Sequence, residues 1–155
     1  MGYTHYFGFK TIRGQAKLTE EKYQRAIEDC QRIVRRYSKE NGGLSGYTAH
    51  CPIGAYGGIE VNGSENSGTG EMFSLREHFA QNTTPDFTPW VKTFRRPYDL
   101  VVTACLAVLK HRLGDAMELS SDGNTDDWDA GVEFARQVTG LKLANPIVSE
   151  FRFVG

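Results

Sequence analysis

The residues of this sequence best suited to chemistry are three cations within five positions of one another. Lys92, Arg95 and Arg96 immediately precede Pro97 and a long apolar stretch. A helix that begins at Pro97 would present unpaired backbone N–H groups and the positive end of its dipole beside these cations. Such a helix start binds anions, phosphate above all, and arginine can grip phosphate through two parallel hydrogen bonds. The sequence therefore predicts an anion site here.

Two aromatic residues flank this cationic segment. Trp90 and Phe94 could stack on the base of a nucleotide, a contact worth roughly 1–3 kcal/mol. The alternative is a solvated charged loop whose aromatic side chains fill the core, and the sequence leaves it open. In that alternative the cations oppose the helix dipole with no anion to offset them. We therefore expect the partner to be a phosphorylated, nucleotide-like small molecule.

Three further side chains are candidate ligand contacts. His5 lies midway along an aromatic segment, where it is either a core residue or a hydrogen-bond donor or general base for a ligand. Ser121 and Asp122 lie in a turn ahead of the last predicted helix. In addition, the glycine-rich segment 62–70 is either a polar loop with no role or a loop that closes over the ligand.

An acidic run beginning at Asp122 partly matches a calcium-binding loop. Asp122, Asn124, Asp126 and Glu133 occupy its positions 1, 3, 5 and 12. However, Asp127 stands where that loop requires glycine. We interpret the run as a strand-to-helix turn whose carboxylates suit the helix dipole, and we predict no metal site.

The sequence contains no assembled catalytic set. It has no nucleophile elbow, Walker loop, dinucleotide fingerprint or zinc motif. Cys105 falls in an apolar helix, where a thiol is inert. We therefore predict no catalytic residue and no cofactor. Two alternatives stay open: an enzyme acting on a phosphate ester, with His5 as base and Asp122 or Asp126 as metal ligands, and an accessory protein that inhibits a host protein by direct contact.

Length and composition set the class of protein. The 155 residues suit a single domain, 1–155, and a hydrophobic fraction of 39% excludes a disordered chain. The net charge of −1 gives no general attraction to nucleic acid, which we do not expect as a partner. No apolar run reaches the roughly 20 residues that span a bilayer. Three scattered cysteines argue against a disulfide framework, so we expect a cytoplasmic protein without a membrane partner.

Hydrophobic periodicity predicts alternating strands and helices. A strand of period two is followed by an amphipathic helix with Thr19 as its cap, two strands, a buried helix starting at Pro97, a strand, a third helix capped by Thr125 or Asp126, and a final strand. The predicted strands are 3–10, 57–61, 71–75, 116–120 and 148–154, and the helices are 19–41, 97–113 and 125–140. This order predicts an α+β fold, with a mostly antiparallel sheet and about three helices packed on one face. A split βαβ topology is the first to try.

Three segments together resemble a family of small proteins from phages, prophages and bacteria. They are residues 1–6 (MGYTHY), residues 92–99 (KTFRRPYD) and residues 119–123 (LSSDG), the last followed by Asp126-Asp127-Trp128. The resemblance implies no activity and transfers no catalytic residue. It implies a context, because small phage proteins include inhibitors that sequester nucleotide-derived immune signals of the host. We therefore expect a binding protein of this kind, forming a homo-oligomer in the host cytoplasm.

Overall fold

Two three-stranded antiparallel sheets and three long helices make up the fold in residues 2–51 and 57–147, the part of the chain that the computed structural model describes. The α+β class is confirmed. The strands are β1 (Thr4–Phe9), β2 (Leu44–Ser45), β3 (Ile59–Gly63), β4 (Phe73–Leu75), β5 (Trp90–Lys92) and β6 (Met117–Ser121); the helices are α1 (Ala16–Asn41), the short α2 (Tyr47–His50), α3 (Asp99–Leu113) and α4 (Thr125–Thr139). The predicted strand 148–154 lies outside the described residues.

The first sheet contains the split βαβ unit expected from the sequence. Strand β1 lies between β5 and β6 and is antiparallel to both. Strands β5 and β6 are therefore parallel to each other, and α3 connects them. Side chains of β1 alternate between two faces, so Tyr3, His5 and Phe7 point inward and are buried. Strand β1 is therefore the central strand of this sheet.

The first helix begins earlier than predicted. Thr19 is not its cap, because the helix starts at Ala16 after Gln15, and the Thr19 amide already donates to the Gln15 carbonyl. Leu18 is exposed on the first turn of the helix. Ala16, Lys17 and Leu18 are all good helix formers, and they extend the helix back to the turn at Gly14.

The buried helix α3 begins two residues later than predicted. Residues 96–98 form a tight turn in which the Asp99 amide donates to the Arg96 carbonyl, and Pro97 lies in this turn instead of opening the helix. Almost every residue from Val101 to Leu109 is buried, as a helix enclosed by α1, α4 and the first sheet requires. The turn places Asp99, the first residue of α3, against the inner face of that sheet.

The strands on either side of the glycine-rich segment 62–70 belong to a second sheet instead of extending the first one. Strands β2, β3 and β4 pair in the order β2–β3–β4. The loop 62–70 is fastened at its base, since the Asn62 side chain donates to the Gly70 carbonyl and accepts from the Gly70 amide, at 2.9 and 3.0 Å. Its middle is held by the Ser67 hydroxyl, which donates to the Gly43 carbonyl.

In the described part of the chain, no helix combines the length and the hydrophobicity that crossing a membrane requires.

Candidate functional site

The candidate site lies where the start of β1, the end of β6 and the first turns of α3 and α4 meet. The register of the first sheet pairs His5 with Ser121, and their side chains share the inner face. The turn before α3 brings Asp99 to the same point. We call the group Tyr3, His5, Thr93, Asp99 and Ser121 the polar cluster.

A chain of short hydrogen bonds runs through the polar cluster. His5 Nδ1 lies 2.7 Å from Ser121 Oγ, and His5 Nε2 lies 2.6 Å from Asp99 Oδ1. The Thr93 hydroxyl donates to the same carboxylate oxygen at 2.6 Å. His5 and Thr93 are fully buried. Serine, histidine and aspartate thus stand in the order found in hydrolytic triads.

The hydrogen bonds of Ser121 argue against its use as a nucleophile. Its Oγ accepts the amide proton of Gly123 at 2.9 Å and the indole proton of Trp128 at 3.2 Å. With both lone pairs occupied, the hydroxyl proton must go to His5 Nδ1, and His5 then donates from Nε2 to Asp99. This network leaves no free lone pair on Ser121 to attack a substrate. The cluster instead connects β1, β6, α3 and α4 rigidly.

Aromatic rings enclose the histidine. The rings of Tyr3 and Trp128 each lie 5.0 Å from the His5 ring, edge to face. Trp128 is fully buried and comes from the first turn of α4. These contacts fix the imidazole plane and exclude water from its hydrogen bonds.

Arg95 covers the outer side of the cluster. Its guanidinium lies 3.9 Å from the centre of the Tyr3 ring and forms an ion pair of 2.9 Å with Asp127. Both Phe94 and Arg95 adopt the left-handed conformation, with φ of 55° and 57°. A non-glycine residue pays roughly 1–2 kcal/mol for this conformation. The guanidinium therefore occupies its position over Tyr3 at a cost in backbone strain.

The Tyr3 hydroxyl is a buried polar group without a hydrogen-bond partner among the described residues. It lies beside Gly123, Asp127 and Ser121. Burial, with the negative charges of Asp99 and Asp127, raises the pKa of Tyr3 to about 12, while Arg95 and Ser121 act in the opposite direction. A buried hydroxyl without a partner is unfavourable by about 1–3 kcal/mol, and an acceptor brought to it would relieve that cost.

The first sheet separates the residues that the sequence analysis grouped together. Trp90 and Lys92 stand opposite Tyr6 and Thr4 in the register and therefore lie on the outer face. His5 and Ser121 lie on the inner face. The outer face also exposes Tyr6 and Trp90 side by side, along a groove of about 460 Å³.

The remaining predicted residues lie at the edge of the cluster. Phe94 is exposed, and the side chain of Arg96 is exposed and packs beside Gly68 of the loop 62–70. The carboxylate of Asp122 accepts the Thr4 amide proton at 3.0 Å. The structure thus brings together His5, Ser121 and Arg95, with Asp122 and Arg96 nearby and Trp90 and Lys92 on the other side of the sheet.

The backbone amides at the start of α3 are not free, contrary to the expectation from the sequence. The amides of Asp99, Leu100 and Val101 donate to the carbonyls of residues 96, 97 and 98, and that of Val102 also donates to Tyr98. The turn before the helix uses the groups that an anion would need. Any anion site here must therefore rely on side chains.

The acidic run is the predicted strand-to-helix turn. Asn124 caps α4, and its side chain accepts the Asp127 amide proton while the Asp127 carboxylate accepts that of Asn124. Burial alone would raise the pKa of Asp127. The hydrogen bonds with Asn124 and Arg95 outweigh that effect and hold the pKa of Asp127 below its usual value. Within residues 2–51 and 57–147, no three His, Cys, Asp or Glu side chains are arranged to hold a metal ion.

Tyr3, Asp99 and Asp127 were not among the site residues predicted from the sequence. Tyr3 could have been found from its alternation with His5 along β1, which places both on one face. Asp99 is the acidic residue in the first turn of α3, a position that the helix dipole alone would explain, so the sequence carried no signal of its bond to His5. The pairing of Asp127 with Arg95 is a long-range contact that no local pattern announces.

The three segments that carry the family resemblance meet at this site: Tyr3 and His5 from the first, Thr93, Arg95 and Asp99 from the second, and Ser121, Asp127 and Trp128 from the third. Comparison of the chain with protein-family models, with curated proteins and with solved structures finds no match.

Proposed function

We propose that this protein is a small binding protein that captures an anionic, nucleotide-like ligand beside Arg95 and Tyr3. The observation that carries the proposal is the buried Tyr3 hydroxyl, which has no partner among the described residues, on a ring that the exposed Arg95 guanidinium covers at 3.9 Å from its centre. Both groups are hydrogen-bond donors. A phosphate oxygen could accept from both and relieve the unfavourable burial of the hydroxyl.

The ion pair between Arg95 and Asp127 does not prevent such binding. Its two side chains are 59% and 25% exposed, and an ion pair of this kind contributes about 1 kcal/mol or less. A phosphate with two negative oxygens is a better partner for a guanidinium than a single exposed carboxylate. We therefore expect the ligand to displace Asp127 from Arg95, with Arg96 providing a second positive charge.

The polar cluster supports this role as a rigid base. His5 and Ser121 use their hydrogen bonds within the cluster, so they position Tyr3 and Trp128 instead of contacting the ligand. The coordination of Ser121 argues for binding without covalent turnover. In the phage context that the resemblance implies, such capture would withdraw a nucleotide-derived signal from the host.

Isothermal titration with cyclic nucleotides and ADP-ribose tests the proposal through two variants of opposite effect. Arg95→Gln removes the cation and should weaken binding at least tenfold. Asp127→Asn removes the competing charge but keeps an oxygen for the Asn124 amide, so it should tighten binding up to about fivefold. Arg25→Gln, on the exposed face of α1, is the matched control and should bind like the wild type.

Three results would contradict the proposal: no binding of these compounds by the wild type, equal binding by Arg95→Gln, or weaker binding by Asp127→Asn. Chromatography of the recovered ligand distinguishes capture from the enzymatic alternative. Capture returns the ligand unchanged, whereas a phosphate-ester enzyme returns a product.

Contact with another protein is a second candidate, favoured by the exposed aromatic pair of Tyr6 and Trp90 on the outer face. This face is where we would seek the predicted homo-oligomer contact. Light scattering after size exclusion tests it. Wild type should run as an oligomer and Trp90→Ser as a monomer, and a monomeric wild type would contradict it.

A further inference from the structure

A second concentration of positive charge lies far along the sequence from Arg95, in a recess of about 650 Å³ between α1, α2 and α4. We call this recess the basic groove. Its cations all come from the second half of α1, and Ala49 of α2 and Val138 of α4 provide an apolar part of its lining. The cations are Arg32, Arg35, Arg36 and Lys39.

The spacing of these cations places them on one side of α1. Arg32 is three and four residues from Arg35 and Arg36, and Lys39 is four and three residues from them, so the four cations form one stripe along the helix. At about 1.5 Å of rise per residue, Arg32 and Lys39 are about 10 Å apart along the axis. A ligand with more than one anionic group could contact the whole row.

The cations exceed the carboxylates available to neutralise them. Arg32 lies 3.9 Å from Glu28, and Arg36 lies 2.8 Å from Glu40; both pairs are about half exposed and therefore weak. Asp29 is also 3.5 Å from Arg32, but its carboxylate is buried and bonded to Arg112 at 2.6 Å.

Within residues 2–51 and 57–147, the other two cations have no carboxylate partner. The Arg35 guanidinium donates to the carbonyl of Cys51, and Lys39 has no ion pair among the described residues. The groove therefore carries a net positive charge in a protein whose overall charge is −1.

Compensation of the helix dipole explains only part of this row. Cations in the last turn of a helix are favourable, and Lys39 is in the last turn of α1, which ends at Asn41. The dipole effect falls off beyond that turn, and Arg32 and Arg35 are six to nine residues from the end. Their position beside a recess of ligand size is a separate observation that points to an anion.

We infer that the basic groove binds a nucleoside di- or triphosphate, with the phosphates along the row of cations and the nucleoside against Ala49 and Val138. The recess has the volume of small-molecule sites, and its combination of cations with apolar side chains suits a ligand that is charged at one end and flat and apolar at the other. This site is independent of the one proposed beside Arg95.

Calorimetric titration of the full chain with ATP, ADP, AMP, adenosine and inorganic tripolyphosphate tests the inference. We expect affinity to fall in the order ATP, ADP, AMP, with no binding of adenosine, and to decrease as salt is raised. Arg36→Glu/Lys39→Glu should weaken ATP binding at least tenfold. Arg36→Gln/Lys39→Gln, which introduces no repulsion with Glu40, should also weaken it, and thermal unfolding confirms that both variants fold.

Two controls make the result decisive. Lys22→Glu/Arg25→Glu makes the same charge change on the same helix outside the groove and should retain ATP binding. Arg95→Gln should also retain it, which separates this site from the first. The inference is overturned by a wild type that does not bind ATP at millimolar concentration, by equal loss in the Lys22/Arg25 variant, or by loss in Arg95→Gln alone.

Discussion

The polar cluster and the basic groove differ in how their reactive side chains are used. In the cluster, His5, Asp99 and Ser121 are types that could catalyse a reaction, but their polar atoms are engaged with one another. In the groove, Arg36 and Lys39 are exposed; Arg36 has a weak ion pair with Glu40, and Lys39 has none within the described part of the chain. Residue type alone would rank the cluster as the more reactive region, whereas the free hydrogen-bonding capacity is greater in the groove.

This difference separates a structural role from a binding role. Groups that satisfy one another in the interior stabilise the fold, and removing one leaves its partners unsatisfied. Groups that face solvent contribute little to stability and are available to a ligand. Substitutions of the mutually bonded His5, Asp99 and Ser121 should therefore act on the free energy of unfolding, and substitutions in the groove on binding.

The largest effect on stability is expected from Asp99→Ala. It leaves the buried N–H of His5 and the buried hydroxyl of Thr93 without an acceptor, which should lower the free energy of unfolding by about 2–5 kcal/mol. Urea denaturation at pH 7 measures it. Asp115→Ala, at an exposed aspartate in the turn after α3, is the control and should change stability by about 0.5 kcal/mol or less. Equal effects of the two would refute the structural role of the cluster.

A smaller loss is expected from Gly123→Ala. A Cβ at this position would lie 2.1 Å from the Tyr3 hydroxyl, and the Tyr3 ring has little room to move between His5 and Arg95. We expect a loss of about 1–3 kcal/mol in the same urea experiment. Gly8→Ala in β1 is the matched control, because nothing lies within 4 Å of its added methyl group. A neutral Gly123→Ala would mean that Tyr3 is free to move.

The elements of the fold could be predicted because their patterns are local. The alternation of β1, the apolar stripe of α1 and the continuous burial of α3 each follow from spacing within one segment. Strand β5 was missed because its three residues are too few to show a period. Helix α1 starts three residues before the predicted position, directly after Gln15. Helix α3 starts two residues after the predicted position, because Pro97 lies in a turn.

The candidate site was harder to predict because it is assembled from distant residues. The sequence indicated His5, Ser121 and Arg95 as site residues. It did not indicate that His5 bonds to Asp99, 94 positions away, or that Arg95 bonds to Asp127, 32 positions away. Trp90 and Lys92 were grouped with Arg95 because they are close to it in sequence. Since β5 was not predicted as a strand, nothing in the sequence indicated that these two side chains lie on its outer face.

Tyr3→Phe should leave stability unchanged or raise it by about 1 kcal/mol. It removes a buried hydroxyl that lacks a partner while keeping the ring that packs on His5 and Arg95. The same variant should weaken binding of the nucleotide-like ligand, so its effect on binding would be separate from its effect on stability. Absorbance at 295 nm adds a check, because burial raises the pKa of Tyr3 to about 12 and the variant should show one tyrosine ionisation fewer near that pH. Clear destabilisation would mean that the hydroxyl has an internal partner.

The smallest expected effect is the contribution of the Asp127 charge to the free energy of unfolding, which depends on pH. The pKa of Asp127 is lower in the folded chain than in the unfolded chain, where an aspartate has a pKa of about 3.9. The contribution is therefore complete above that value and is lost as the pH falls through the lower, folded pKa. Asp127→Asn should be less stable than wild type by about 1 kcal/mol or less at pH 7 and pH 5, and the gap should close below about pH 4. Urea denaturation at pH 7, 5 and 3 measures it, and a gap that persists at pH 3 would show that the charge of Asp127 is not its source.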